Sequence, residues 1–196
     1  MRKRWIFLLI MASLLILISF CCCQCPPPAP CPIEGLLIEV TDLPPAYEWL
    51  ETGSRSSRGA PLRMGVERIG TVFSGYELFD GVSHEIYRFK NKGSASRNYA
   101  DIEEIDFSVL HYSKEWELPD ELSQIQLAAD RHTIGCNLYT DSGAEECQFL
   151  AQYGPYLVRF SIRLHGLKFG DVIPIIEEID RRTVKCLSLQ EFGKGN

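Results

Sequence analysis

The sequence predicts an α+β domain, a single twisted antiparallel sheet packed by about three helices. Three observations carry this. Tyr156, Val158, Phe160, Ile162 and Leu164 alternate strictly with Leu157, Arg159, Ser161, Arg163 and His165, the period of a strand with one core face and one mostly polar face. The strands of the last third follow one another through links of turn length, too short for the crossovers that parallel strands require. Val172, Ile175, Ile176, Ile179 and Thr183 then recur at helical spacing, so a helix closes the domain against the sheet.

The elements follow in chain order. Ala46–Glu51 reads as a short helix, and Thr52–Pro61, rich in Ser, Gly and Arg, as a mobile loop. Gly70–Phe79 and Val82–Lys90 flank Asp80-Gly81, a two-residue hairpin signal. Ser94 can cap a helix that carries Ala95, Tyr99, Ile102 and Ile105 on one side. Asp106–Ser113 reads as a strand, Trp116–Pro119 as a bend, and Ser123–Ala129 alternates like a strand. Thr133–Thr140 and Glu146–Tyr153 flank the turn residues Asp141-Ser142-Gly143. In the last helix Asp171 is the expected N-cap, and Pro174 sits in the first turn, where its missing N–H costs little. Glu177 with Arg181 and Glu178 with Arg182 are i,i+4 pairs in the favourable order.

The N-terminus speaks to location. Arg2, Lys3 and Arg4 precede an apolar run from Trp5 to Phe20, broken only by Ser13 and Ser19. A basic start followed by an apolar stretch is the anatomy of an export signal. Counted from Trp5 to Cys23 the run is 19 residues, about 28 Å as a helix at ~1.5 Å per residue, close to the thickness of the hydrocarbon core. Three outcomes stay open: cleavage with lipidation at Cys21, Cys22 or Cys23, a retained helix with a cytoplasmic N-terminus, or full secretion. Ile18 and Ser19 fit a lipoprotein signal, whereas Phe20 is bulkier than such signals carry. All three outcomes place the domain outside the cytoplasm. The expected organisation is an anchor over residues 1–25, a Pro/Cys-rich stalk over 26–32, the globular domain over 33–192 and a tail over 193–196.

With 196 residues, 45% hydrophobic and 23% charged, the chain is neither collagen-like nor fully disordered, and forms one domain of ordinary size. Twenty basic and 26 acidic residues give a net charge of −6, and setting aside the three basic residues of the first 25 leaves −9. Such a balance carries no electrostatic footprint for nucleic acid.

The eight cysteines divide into five within residues 21–31 and three in the domain. Cys22-Cys23-Gln24-Cys25 has a C-x-x-C spacing, readable as redox or metal chemistry or as an acylation-prone juxtamembrane cluster. A hairpin turning at Asp141-Ser142-Gly143 brings Cys136 opposite Cys147 or one residue off, within disulfide reach in an oxidising compartment, with two free buried thiols as the other reading. Cys186 can pair with Cys31 or remain a plain buried cysteine.

Motifs for catalysis or cofactors are lacking. The four histidines, His84, His111, His132 and His165, form no metal-binding spacing. No catalytic residues, metal ligands or cofactors are therefore expected. Asp101, Glu103, Glu104 and Asp106 could bind a cation, or simply form a solvated helix face. The best polar constellation is Arg159, Arg163 and His165 on the outer side of one strand, with Lys168 beyond. It can receive an anionic ligand or an acidic partner, or pair with carboxylates as a solvated face.

Ala129-Asp130, Cys136, Cys147, Ala151-Gln152-Tyr153-Gly154-Pro155-Tyr156 and Ile179-Asp180, with a looser echo over Tyr87–Tyr99, resemble a group of uncharacterised bacterial envelope proteins, secreted or lipid-anchored. The sheet-and-helix order is similar to the α/β/α sandwich of PsbP/Mog1-like proteins, a likeness that concerns fold alone. The expected function is a membrane-anchored extracytoplasmic module that binds a protein partner or small ligand. The alternative is a small extracytoplasmic hydrolase with a site assembled from distant residues.

Overall fold

A computed structural model describes residues 32–45, 48–58, 67–75, 80–108, 115–138 and 143–192. The anchor, the lipidation candidates Cys21, Cys22 and Cys23, the C-x-x-C spacing, the proline stalk, Cys31, His111 and the tail lie outside the described residues. The chain divides into one unit over Cys31–Ser188 and a second over Met1–Pro30 with Leu189–Asn196. Of the second, only the last residues of the final helix, Leu189–Phe192, are described. Among the described residues no helix is long and apolar enough to cross a membrane.

The domain is α+β and its sheet is antiparallel throughout. Strands β1 (Leu50–Arg58), β2 (Glu67–Ser74), β3 (Gly81–Arg88), β4 (Arg131–Leu138), β5 (Glu145–Tyr153) and β6 (Tyr156–Leu164) lie in the order β1-β2-β3-β6-β5-β4. Two three-stranded meanders thus meet where β3 pairs with β6. Helix α1 (Lys92–Asp106) links the meanders, and α2 (Ile173–Phe192) ends the chain's regular structure.

Several elements differ from expectation. Leu50 and Glu51, expected to end a short helix, open β1, and Thr52–Arg58, expected as loop, continue it. Pairing with β2 overrides the weak strand propensity of Gly and Ser. The β2–β3 hairpin does not turn at Asp80-Gly81. Ser74 lies opposite Gly81, so Gly75–Asp80 form the link. That register sets Ile69 and Phe73 opposite Ile86 and Val82 on one buried side, and burial outweighs a local turn signal. The cap of α1 is Asn91, whose Oδ1 accepts from the Ser94 N–H at 2.9 Å. Ala95, Tyr99 and Ile102 are buried as expected, whereas Ile105 is exposed and Asp106 is turned inward. Asp106 ends α1 instead of opening a strand, and most of the strand expected over Asp106–Ser113 lies outside the described residues. Ser123–Ala129 carries no ladder. Ile125, Leu127 and Ala129 still pack on the core, which accounts for the alternation. Asp171 sits in a 3-10 turn, Phe169–Asp171, before α2.

The two faces of the sheet bury different things. One carries Phe73, Val82, Ile86, Phe149, Val158, Phe160 and Ile162, covered by Val172, Ile175, Ile176 and Ile179 of α2's approach and first turns. The other carries Tyr87, Leu150 and Leu157 beneath Ala95, Tyr99 and Ile102 of α1. The layers are helix, sheet, helix. Between β5 and β6 the link is Gly154-Pro155 alone. Gly154 has φ 55° and Pro155 holds a negative φ, the combination of a type II′ turn.

A strap over residues 32–43 crosses the α2 side. Its 3-10 turns, Ile33–Leu36 and Val40–Asp42, bury Ile33 and Leu36, and Ile38 and Leu43 are buried beside them. Arg182 of α2 donates to the Leu37 carbonyl and to Asp42 Oδ2, the latter at 2.8 Å. The Ile38 N–H donates to Nδ1 of His84, 3.1 Å away in β3. His84 is fully buried. Because Nδ1 accepts, the neutral ring carries its proton on Nε2, which has no hydrogen-bond partner among the described residues. Cys186 of α2 is buried and disulfide-bonded, with its partner outside the described residues, so the free-thiol reading is set aside.

Burial, and secondarily the charge of Arg182, lower the His84 pKa from 6.5 to about 3. The unfolded chain therefore binds a proton that the folded chain refuses. Stability from neutral His84 is whole above pH 6.5 and is lost as pH falls toward 3, with roughly 3 kcal/mol gone by pH 4. Urea unfolding at pH 7 and pH 4 is expected to show the stability lead of wild type over His84→Gln shrinking by that order. A lead that stays constant between the two pH values contradicts the assignment.

Candidate functional site

The basic residues of β6 and of the segment just after it meet separate carboxylates. Arg159 makes a two-point pair with Asp106 of α1, Nε to Oδ2 at 2.6 Å and Nη2 to Oδ1 at 2.7 Å. Its Nη1 also reaches Glu85 Oε2 at 3.3 Å. Glu85 takes the Tyr87 hydroxyl at 2.6 Å and an ion pair from Arg68. Arg163 pairs with Glu146 at 2.7 Å, and Gln148 Nε2 donates to the same carboxylate at 3.0 Å. His165 places both its N–H and Nδ1 on Asp80 Oδ1, at 3.1 and 2.9 Å. Lys168 is exposed. Three of the four basic side chains thus hold carboxylates of this chain, the face-pairing arrangement.

The electrostatics follow from depth. Burial opposes the charge of Arg159, but Asp106 and Glu85 outweigh it and raise its pKa. Burial also pushes Glu85 up, and the hydrogen bonds from Tyr87 and Arg68 overcome this and lower it. For Asp106 burial prevails over Arg159, and its pKa is raised. Tyr87 is raised by burial and then by Glu85. The acidic run of α1 is divided. Asp106 faces Arg159, Glu103 accepts from Thr133, and Asp101 and Glu104 are exposed. Among the described residues no group of His, Cys, Asp and Glu is arranged to hold a metal.

Apart from Cys136 and Cys147, the residues behind the envelope-protein resemblance gather around the β5–β6 turn. Asp130 accepts from the Gly154 N–H at 2.6 Å and pairs with Lys92 at 2.5 Å. Asp180 of α2 accepts from the Tyr153 hydroxyl at 2.9 Å and the Ala128 N–H at 3.0 Å. These contacts fasten the turn, the strand-free segment and α2 together, so the motif builds scaffold.

An open cleft lies at the opposite end of β5. Its volume is about 180 Å3, and Glu117, Leu118, Pro119, Cys136, Leu138 and Phe169 line it with Asn137 and Glu145. Sequence reading missed these residues as a site, because they come from four separate segments. Cys136 on its lining is bonded to Cys147, with the Cα atoms 4.1 Å apart and the residues in direct register, one of the two registers that the turn position allowed. The pair is not hydrogen-bonded across the strands. Cys136 N–H and C=O turn outward and bond Glu117, at 2.7 and 3.1 Å, in a one-residue bridge on the β4 edge. Gly135 permits this approach: a Cβ there would meet Phe107 and Trp116 at 3.1–3.3 Å. Leu138 and Leu118 stay 40% and 51% exposed.

Two outcomes are expected. Removing the bridge with Cys136→Ala and Cys147→Ala frees a loop of separation 11 and should lower the unfolding free energy by about 2–3 kcal/mol, read by urea titration. Arg159→Ala leaves Asp106, with a side chain 4% exposed, uncompensated. Discounting for the part-exposed guanidinium, it should cost about 2–4 kcal/mol. Arg159→Met with Asp106→Leu should recover most of that loss in the same titration, and equal losses in single and double variants would contradict the pairing.

Comparison with protein-family models, with curated proteins and with solved structures finds no match for this chain.

Proposed function

We propose that this chain is an extracytoplasmic domain, tethered to the cell membrane through its N-terminus, that binds a protein partner or small ligand without chemistry of its own. The observation that carries this reading is the cleft on the β4 edge. It combines a mainly apolar lining, two exposed leucines and a segment tied to the sheet edge by the Glu117 bridge. The export-like start supports the location. The Cys136–Cys147 bridge and the oxidised Cys186 support it too, since such bonds persist where thiols are not kept reduced. The envelope-protein resemblance points the same way and implies a twisted sheet between helix layers. Lys168 is exposed, precedes the lining residue Phe169 in sequence, and is the remaining basic candidate for an anionic group.

A hydrolase is the second reading, favoured by the Asp80–His165 pair. Asp80 is nearly buried, with 6% of its side chain exposed, and holds Nδ1 of a part-exposed imidazole. A carboxylate on Nδ1 fixes the tautomer and aim of a general base.

A photo-crosslinking residue at Leu138, with one at exposed Val184 as control, tests the choice in intact cells. The binding reading expects a protein adduct at Leu138 that Val184 does not give. Absence of that adduct, together with ester hydrolysis that His165→Gln abolishes, would replace it with the hydrolase.

A further inference from the structure

We propose that the cleft beside the Cys136–Cys147 bridge receives one large apolar side chain from a cationic protein segment. This deepens the binding reading above and rests on it.

Size sets the first constraint. A cavity of about 180 Å3 falls below the roughly 300–1,000 Å3 of sites that enclose drug-sized ligands. It suits a single buried anchor of the kind that dominates protein interfaces. The lining matches such an anchor. Leu118, Pro119, Leu138 and Phe169 line the cleft together with Cys136 of the disulfide, and Glu117, Asn137 and Glu145 are its polar residues. The Glu117–Cys136 bridge fixes one wall to the sheet, so the site is shaped before anything enters it.

Charge sets the second constraint. The stretch Glu115-Trp116-Glu117-Leu118-Pro119-Asp120-Glu121 holds four carboxylates and no basic residue. Glu115, Asp120 and Glu121 are exposed, and Glu145 lies on the lining. Lys168, beside Phe169, is outnumbered. Beyond residue 25 the chain carries −9. An apolar lining that carries Glu117 and Glu145, with three more exposed carboxylates within a few residues of it in sequence, concentrates cations and steers a basic partner into register. An acidic segment would meet like charge on approach.

The test uses the full chain in nonionic detergent and fluorescence anisotropy of labelled five-residue peptides. The probe has a central phenylalanine between paired lysines. One control replaces phenylalanine with serine, and another replaces the lysines with glutamates. The probe is expected to bind at least tenfold more tightly than either control, and more weakly as salt rises. Leu138→Asp adds a negative charge yet should raise Kd at least tenfold, because the loss is apolar. Asp120→Lys with Glu121→Lys should raise Kd and flatten the salt dependence. Mass measured without reduction confirms the 136–147 bridge in each variant. Should Leu138→Asp fail to fold, Leu138→Ala is expected to raise Kd at least threefold. Equal affinity for the serine control, or an unchanged Kd in the Leu138 variants, overturns the proposal. A Leu138 adduct in cells without binding of the cationic probe overturns the partner class and leaves the binding module standing. Absence of both removes both.

Discussion

The pairing of β3 with β6 is the constraint on which the rest of the molecule depends. Eight residue pairs, from Gly81 opposite Arg163 to Arg88 opposite Tyr156, join two meanders that are otherwise local. Their register decides both faces at once. On one side it sets His84 opposite Phe160, edge to face with ring centroids 6.3 Å apart, under the strap. On the other it sets Glu85 opposite Arg159, the middle of the ion-pair row. A slip of one residue would drive the row into the apolar core and the core into the row. The hydroxyls of Ser83 and Ser161, 2.9 Å apart, mark the same register between them.

Charge on the polar face is organised for specificity more than for strength. A buried ion pair gains little over a well-packed apolar pair, yet breaking one partner is costly. Arg159 therefore acts as a key. It joins the last turn of α1 to β6 and β3, and only the native docking of α1 brings Asp106 to it. Glu178 shows the surface counterpart. Hydrogen bonds from Arg181 and then Arg182 hold its pKa at about 2, so one carboxylate serves both arginines while Arg182 also grips the strap. The sequence pattern paired Arg181 with Glu177, and the i,i+3 contact to Glu178 takes its place.

The second half of the chain was legible because its periods are clean and its links short. The β6 alternation, the Cys136–Cys147 register and the inner stripe of α2 all follow from local spacing. The first half was less so. In β1 the residues are poor strand formers held by a neighbour, and at Asp80-Gly81 a good turn signal yields to the burial of Ile69 and Phe73. The outer row of Arg159 and Arg163 was readable from one strand, whereas the carboxylates that occupy it were not. Asp106 and Glu85 stand 53 and 74 residues away. The cleft was invisible for the same reason: Leu118, Leu138 and Phe169 become neighbours only through the β4 edge and the turn after β6.

The order of the strands also dictates an order of events. The meander β4-β5-β6 is contiguous in sequence, turns once through two residues and carries its own cross-link. It can close early. By contrast, β3 finds its inner neighbour only in the last strand of the sheet. A chain delivered from its N-terminus holds that edge, and the apolar side of β2 and β3, open until β6 arrives. Long-range pairing of this kind is slow and exposes an unpaired edge while it waits. The interval between emergence of β3 and arrival of β6 is therefore when this protein is most vulnerable to association with its neighbours.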